Sequence, residues 1–129
     1  MMVKRILMID DDPLIREVTQ ICLETVAGWE VTTAGSGQEG LAKAETSQPD
    51  AILLDVMMPE MDGISTFQKL QSNPITQSIP VILLTAKVLP DDGFSYEEMG
   101  FKAVIVKPFE PVHLSTEIAQ VLGWDTSGS

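Results

Sequence analysis

Five polar residues stand at the ends of apolar runs in this chain. Ala51-Ile52-Leu53-Leu54 leads directly into Asp55. Residues 3–9, apolar apart from Lys4 and Arg5, lead into Asp10 and Asp11, residues 79–84 lead into Thr85, and residues 103–106 lead into Lys107. An apolar run that delivers one polar side chain at its end reads as a buried parallel strand. If the ends converge, three carboxylates meet. A unit pair at ~4 Å repels by roughly 4 kcal/mol at an effective dielectric near 20. A divalent cation removes that repulsion. Oxygen donors without a thiolate or an imidazole cluster favour Mg²⁺, or Mn²⁺, over zinc. Lys107 sets one positive charge opposite the acids and can pair with Asp55 or with an anionic group added to it. Thr85 can donate a hydrogen bond to that group. A carboxylate nucleophile, a cation, a lysine and a hydroxyl are the parts for phosphoryl transfer onto an aspartate.

The elements that would hold these residues follow from pattern. Asp12 is placed to cap a helix with Pro13 at its first position, and Leu14, Ile15, Val18, Ile21, Cys22 and Val26 recur at helical spacing up to Gly28. Residues 30–34 form a short strand. Residues 38–47 form a helix with Leu41 and Ala44 inward, weakened by Gly40. Pro59 stops the ladder after Asp55, and Asp62-Gly63 turns the chain into a helix marked by Ile64, Phe67 and Leu70. Residues 89–100 are poor in helix formers apart from a turn or two near Tyr96. A last helix covers residues 111–122, with Leu114, Ile118, Val121 and Leu122 inward. Strand and helix alternate five times, which specifies a doubly wound α/β fold on a five-stranded parallel sheet with five helices. Ligands of such sheets sit beyond the carboxyl ends of the strands, where all five polar residues fall.

Composition narrows the function classes. The chain has 129 residues, 44% of them hydrophobic, enough for one core, expected over residues 1–124 with a disordered tail at 125–129. The net charge of −11 opposes direct binding to nucleic acid. No apolar run reaches the ~20 residues of a membrane span, and no secretory signal opens the chain. Cys22 is the single cysteine, so no internal disulfide forms and a cytoplasmic location is expected.

The chain resembles the response-regulator receiver domains of two-component signalling over nearly its whole length. The matching motifs are Asp10-Asp11, Asp55 with Met58-Pro59 and Asp62-Gly63 behind it, Thr85-Ala86, and Lys107-Pro108-Phe109. The resemblance implies a flavodoxin-like strand order, 2-1-3-4-5, and phosphorylation of Asp55 by a phosphohistidine on a sensor histidine kinase or a histidine phosphotransfer protein. It implies Mg²⁺ bound by Asp11 and Asp55 directly, by the Met57 backbone carbonyl, and by Asp10 through water, with Thr85 and Lys107 on the phosphoryl group. It further implies a stand-alone signalling domain, not an enzyme acting on other substrates, that switches contacts with a downstream protein. One position departs from the family. Three residues before the lysine stands Val104, where a Tyr or Phe is usual, which removes the rotating aromatic switch. The positions that tune phosphate lifetime carry Met57 and Lys87, neither able to orient an attacking water, so slow self-dephosphorylation is expected.

Other readings of the same residues are weaker. Asp10-Asp11-Asp12 alone reads equally as a solvated turn, and Lys107 alone as a surface charge. Asp12 reads best as a helix cap, His113 as a surface helix residue, and Cys22 as inert core. A Mg²⁺-dependent phosphatase or phosphotransferase with an aspartate nucleophile needs an acid two residues after it, where Met57 stands. A flavin or nucleotide module needs an anion-binding loop after the first strand, where three acids stand. A degenerate receiver acting as a constitutive binding module would not need the intact set of five.

Overall fold

The computed structural model describes residues 3–56, 63–85, 96–107 and 109–124. Five parallel strands, β1 (Arg5–Ile9), β2 (Glu30–Ala34), β3 (Ala51–Asp55), β4 (Val81–Thr85) and β5 (Ala103–Val106), form one sheet in the order β2-β1-β3-β4-β5. Five helices accompany them among the described residues: α1 (Pro13–Cys22), α2 (Gly37–Ser47), α3 (Gly63–Gln71), α4 (Tyr96–Met99) and α5 (Pro111–Leu122). Four run for two turns or more, and within the described residues α4 covers a single turn, while residues 86–95 before it lie outside them. The fold is the doubly wound, flavodoxin-like one.

Period-two alternation splits the sheet's side chains between two cores. Leu7, Ile9, Ile52, Leu54 and Leu83 pack with Ala44, Phe67 and Leu70. Ile6, Met8, Leu53, Ile82 and Leu84 pack with Leu23, Leu114 and Ile118 on the opposite face. Strands β3 and β4 are buried at every position, which is why they read as continuous apolar runs. Val104 packs, partly buried, against the first core.

Asp12 caps α1 as expected, its Oδ1 accepting the Leu14 N–H at 2.9 Å and the Ile15 N–H at 3.4 Å. The helix then widens into a π-helical turn over Leu23–Ala27 and stops at Gly28, whose φ of 73° is the left-handed conformation of a glycine cap. The apolar stripe of α1 is broader than the surface the sheet offers it. Leu14, Ile21 and Val26 are 66%, 55% and 55% exposed, while Thr19 and Leu23 take the buried face. Cys22 is therefore half-buried rather than core, and on α5 Val121 faces solvent rather than inward.

Two glycines set how closely helices approach the strands that carry the acids. A Cβ on Gly40 would land on Ile9 Cδ1, so the residue that weakens α2 as a helix is the one that lets it lie on β1. A Cβ on Gly63 would strike the Asp55 carbonyl and come within 2.7 Å of Val56 Cα. The Gly63 N–H instead donates to the Val56 carbonyl at 3.0 Å, pinning the start of α3 against the end of β3. The expected tail at 125–129 and the turn at Pro59 lie outside the described residues. Among those described, no helix is long and apolar enough to cross a membrane.

Candidate functional site

Each polar residue is held by the ladder that buries the strand before it. The Asp10 N–H donates to the Ala34 carbonyl at 3.0 Å and the Val56 N–H to the Leu84 carbonyl at 3.0 Å, so pairing continues one residue past β1 and β3. The Lys107 N–H donates to the Thr85 carbonyl at 2.7 Å, extending β5 along β4 in the same way. The register pairs Asp55 with Leu84 and Thr85 with Val106. The carboxyl ends of β1, β3, β4 and β5 thus finish side by side, because parallel strands in a common register end at a common edge.

Asp10, Asp11 and Asp55 each present a carboxylate oxygen, all within 4.8 Å of one another. Asp10 and Asp55 are buried, and Asp11 is exposed. Lys107 Nζ donates to Asp55 Oδ1 at 3.1 Å and to Asp10 Oδ2 at 3.2 Å. Burial pulls the Lys107 ammonium towards its neutral form, but the Asp10 and Asp55 charges outweigh it and raise its pKa above the ordinary value. Thr85 is buried at the end of β4, between the strands that deliver Asp55 and Lys107. Asp10 is tied further: its Oδ1 accepts the Asp12 N–H at 2.9 Å and its carbonyl accepts Arg16 Nη1 at 2.7 Å.

The five residues picked out in the sequence lie at one edge of the sheet. Met57 lies outside the described residues, as do Ala86 and Pro108. Asp12 is a cap and His113 is exposed on α5. Arg16 was not legible. It is the single basic residue of α1, which is a hint of a role, but only the fold turns its guanidinium back onto the carbonyl of Asp10.

The donor set fits a hard divalent cation: three carboxylates each bring an oxygen within 4.8 Å of the others, with no cysteine or histidine in the group among the described residues. Lys107 neutralises only part of the three negative charges, so the protein's own residues leave room for further positive charge.

Residues 6–119 match the family model for the response regulator receiver domain. The chain is 38% identical over 119 residues to the Bacillus subtilis alkaline phosphatase synthesis transcriptional regulatory protein PhoP, covering 92% of this chain and 48% of that protein. It is 38% identical over 118 residues to the Synechocystis DNA-binding dual master transcriptional regulator RpaA, with 92% and 48% covered. The chain spans about half the length of the curated relatives it matches. Among solved structures it resembles the Vibrio cholerae chemotaxis protein CheY4, with a TM-score of 0.84 and 32% identity over 93% of this chain and 99% of that one. It also resembles the receiver domain of a Pseudomonas aeruginosa sensor histidine kinase, solved with magnesium in its active-site cleft, with a TM-score of 0.82 and 28% identity over 95% and 99%. The motifs, the strand order and these likenesses agree: the chain belongs to the response regulator receiver domains of two-component signal transduction.

Proposed function

We propose that Asp55 is the phosphoacceptor of a phosphorelay and that Asp10, Asp11, Thr85 and Lys107 serve its phosphorylation. The observation that carries this reading is the convergence of three carboxylates and one lysine at the carboxyl edge of the sheet. An Asp55 carboxylate oxygen attacks the phosphorus of a phosphohistidine. The P–N bond breaks, and the leaving imidazole keeps the bonding pair and takes up a proton. The product is an aspartyl phosphate. Lys107, held beside Asp55, moves its ion pair onto the phosphoryl oxygens. Thr85 donates its hydroxyl to one of them. Asp11 and Asp55, with Asp10 behind them and the Met57 carbonyl implied by family likeness, would hold Mg²⁺ or Mn²⁺. When bound, the ion offsets charge on the carboxylates and the transferring group.

The donor is a sensor histidine kinase or a histidine phosphotransfer protein. Leu14, exposed at the start of α1 just after the acids, and Val18 and Ile21, exposed further along the helix, support docking there. Output passes to a downstream protein of unknown identity, and residues 1–124 act as one domain in the cytoplasm. The chain catalyses only its own phosphorylation and dephosphorylation. Its −11 charge disfavours direct contact between this domain and DNA. The DNA-binding named for a relative belongs to a protein about twice as long. Incubation with acetyl phosphate and Mg²⁺ tests the reading. A single acid-stable, hydroxylamine-labile label on the wild type, absent from Asp55→Asn, is expected. A label that persists in Asp55→Asn, or steady turnover of a generic phosphate ester, overturns it.

A further inference from the structure

The orientation of Asp11 has no visible cause in its own side chain. Among the described residues nothing bonds its carboxylate, and it is exposed, yet one of its oxygens lies within 4.8 Å of those of Asp10 and Asp55. Its direction must come from the backbone, and the peptide that sets it is the one joining Asp10 to Asp11. The carbonyl of that peptide accepts Arg16 Nη1 at 2.7 Å. Asp10 is otherwise held through its N–H by Ala34, through Oδ1 by the Asp12 N–H, and through Oδ2 by Lys107. Arg16 supplies the one remaining tie, on the side facing Asp11.

Arg16 is itself held. The backbone N–H of Arg16 donates to the Asp12 carbonyl at 3.0 Å, within the capped first turn of α1. The guanidinium lies against Gly35, where a Cβ would come to 3.0 Å from Nη1, 3.4 Å from Cζ and 3.7 Å from Nη2. The Gly35 N–H donates to Glu39 Oε1 at 2.9 Å, and Glu39 pairs with Lys43 at 3.0 Å. Arg16 therefore spans from the start of α2 to the tip of β1. A planar fork suits this better than a lysine ammonium, because one nitrogen can hold the carbonyl while the rest of the group fills the space at the glycine.

We propose that Arg16 is a positioning residue that, seated on Gly35, fixes the Asp10–Asp11 peptide and thereby aims the Asp11 carboxylate at the cation site. The proposal rests on the reading of Asp11 as a metal ligand. Its charge and its geometry make opposite demands. A guanidinium near three carboxylates repels an incoming cation, so if charge were its only effect, removing it would tighten metal binding. If it aims Asp11, removing it weakens binding.

Mn²⁺ affinity of the full chain, measured by electron paramagnetic resonance of the free ion, decides between them. Wild type, Arg16→Met, Arg16→Lys, Gly35→Ala and Asp11→Asn are compared, with thermal unfolding in chelator as the control for folding. Arg16→Met is expected to weaken Mn²⁺ binding roughly tenfold or more, the usual scale for residues that orient metal ligands. Its metal-free melting temperature should stay near that of the wild type. Gly35→Ala, which displaces the guanidinium without changing charge, should weaken binding in the same direction. Arg16→Lys should recover only part of the loss. Unchanged or tighter binding in Arg16→Met, or a loss that simply follows loss of folded protein in both Arg16→Met and Gly35→Ala, overturns the assignment. Wild-type binding that Asp11→Asn removes keeps the metal reading intact in that case. Absence of wild-type binding overturns both.

Discussion

Lys107 Nζ lies 3.1 Å from Asp55 Oδ1, reaching across β4 from the end of β5 to the end of β3. The same ammonium touches Asp10, so one cation holds two buried carboxylates at the edge of the sheet. Among the described residues this ion-pair triad offsets part of the charge crowded there.

Lys107→Met leaves the Asp10 and Asp55 charges buried and facing each other. The lysine side chain is 23% exposed, so the loss should be smaller than for a fully buried pair, about 2 kcal/mol. Urea denaturation checks this. Adding Mg²⁺ should stabilise the variant more than the wild type, since the ion then meets a more negative site.

Asp11→Asn removes an exposed charge from the repelling set. The metal-free protein should gain about 0.5 kcal/mol, and the stabilisation that Mg²⁺ confers on the wild type should disappear. Melting temperatures with and without Mg²⁺ read both effects.

Gly40→Ala should raise helix propensity and still destabilise. The helix term favours alanine by about 1 kcal/mol, whereas forcing a methyl onto Ile9 costs about 1–3 kcal/mol. A lower denaturation midpoint is expected, and Gly40→Ala combined with Ile9→Val should recover part of it.

Glu39 accepts the Gly35 N–H and pairs with Lys43, and these interactions hold its carboxyl below the ordinary value of 4.5. A depressed carboxylate contributes stability above its unfolded pKa and loses it as pH falls through the folded one. The stability gap between wild type and Glu39→Gln should therefore be present at pH 7 and close below pH ~4.5. Lys107 has the opposite sign: its contribution is complete below its unfolded pKa and is lost only as pH rises through its raised folded value. Denaturation curves across acid pH, at low and high salt, test the Glu39 effect, which solvent screening keeps modest.

The phosphorylated protein should lose its phosphate slowly, because Met57 and Lys87 carry no carboxylate or amide to orient a water. Retention of label over many minutes in Mg²⁺ is expected, and a half-life of seconds rules the idea out.

The alternation of strands and helices, the polar residues at the ends of β1, β3, β4 and β5 and the Asp12 cap were legible in the sequence because period, composition and cap chemistry are local. Apolar β3 and β4 reveal their burial directly, and Asp55, Thr85 and Lys107 stand out against them. What the tertiary structure decided is contact between residues far apart in the chain. Gly40 looked only like a weak point of a helix until Ile9 lay beneath it. Leu14 and Ile21 fit a helical stripe, but how much of it the sheet covers depends on where α1 sits. Nothing in the local pattern singled out Arg16 for the site. Its guanidinium meets the Asp10 carbonyl because the turn after β1 and the cap of α1 fold it back, and Gly35, arriving from the next strand, leaves the space it fills. Local pattern determined which residues could form the site. The packing of helices on the sheet determined what holds them in place.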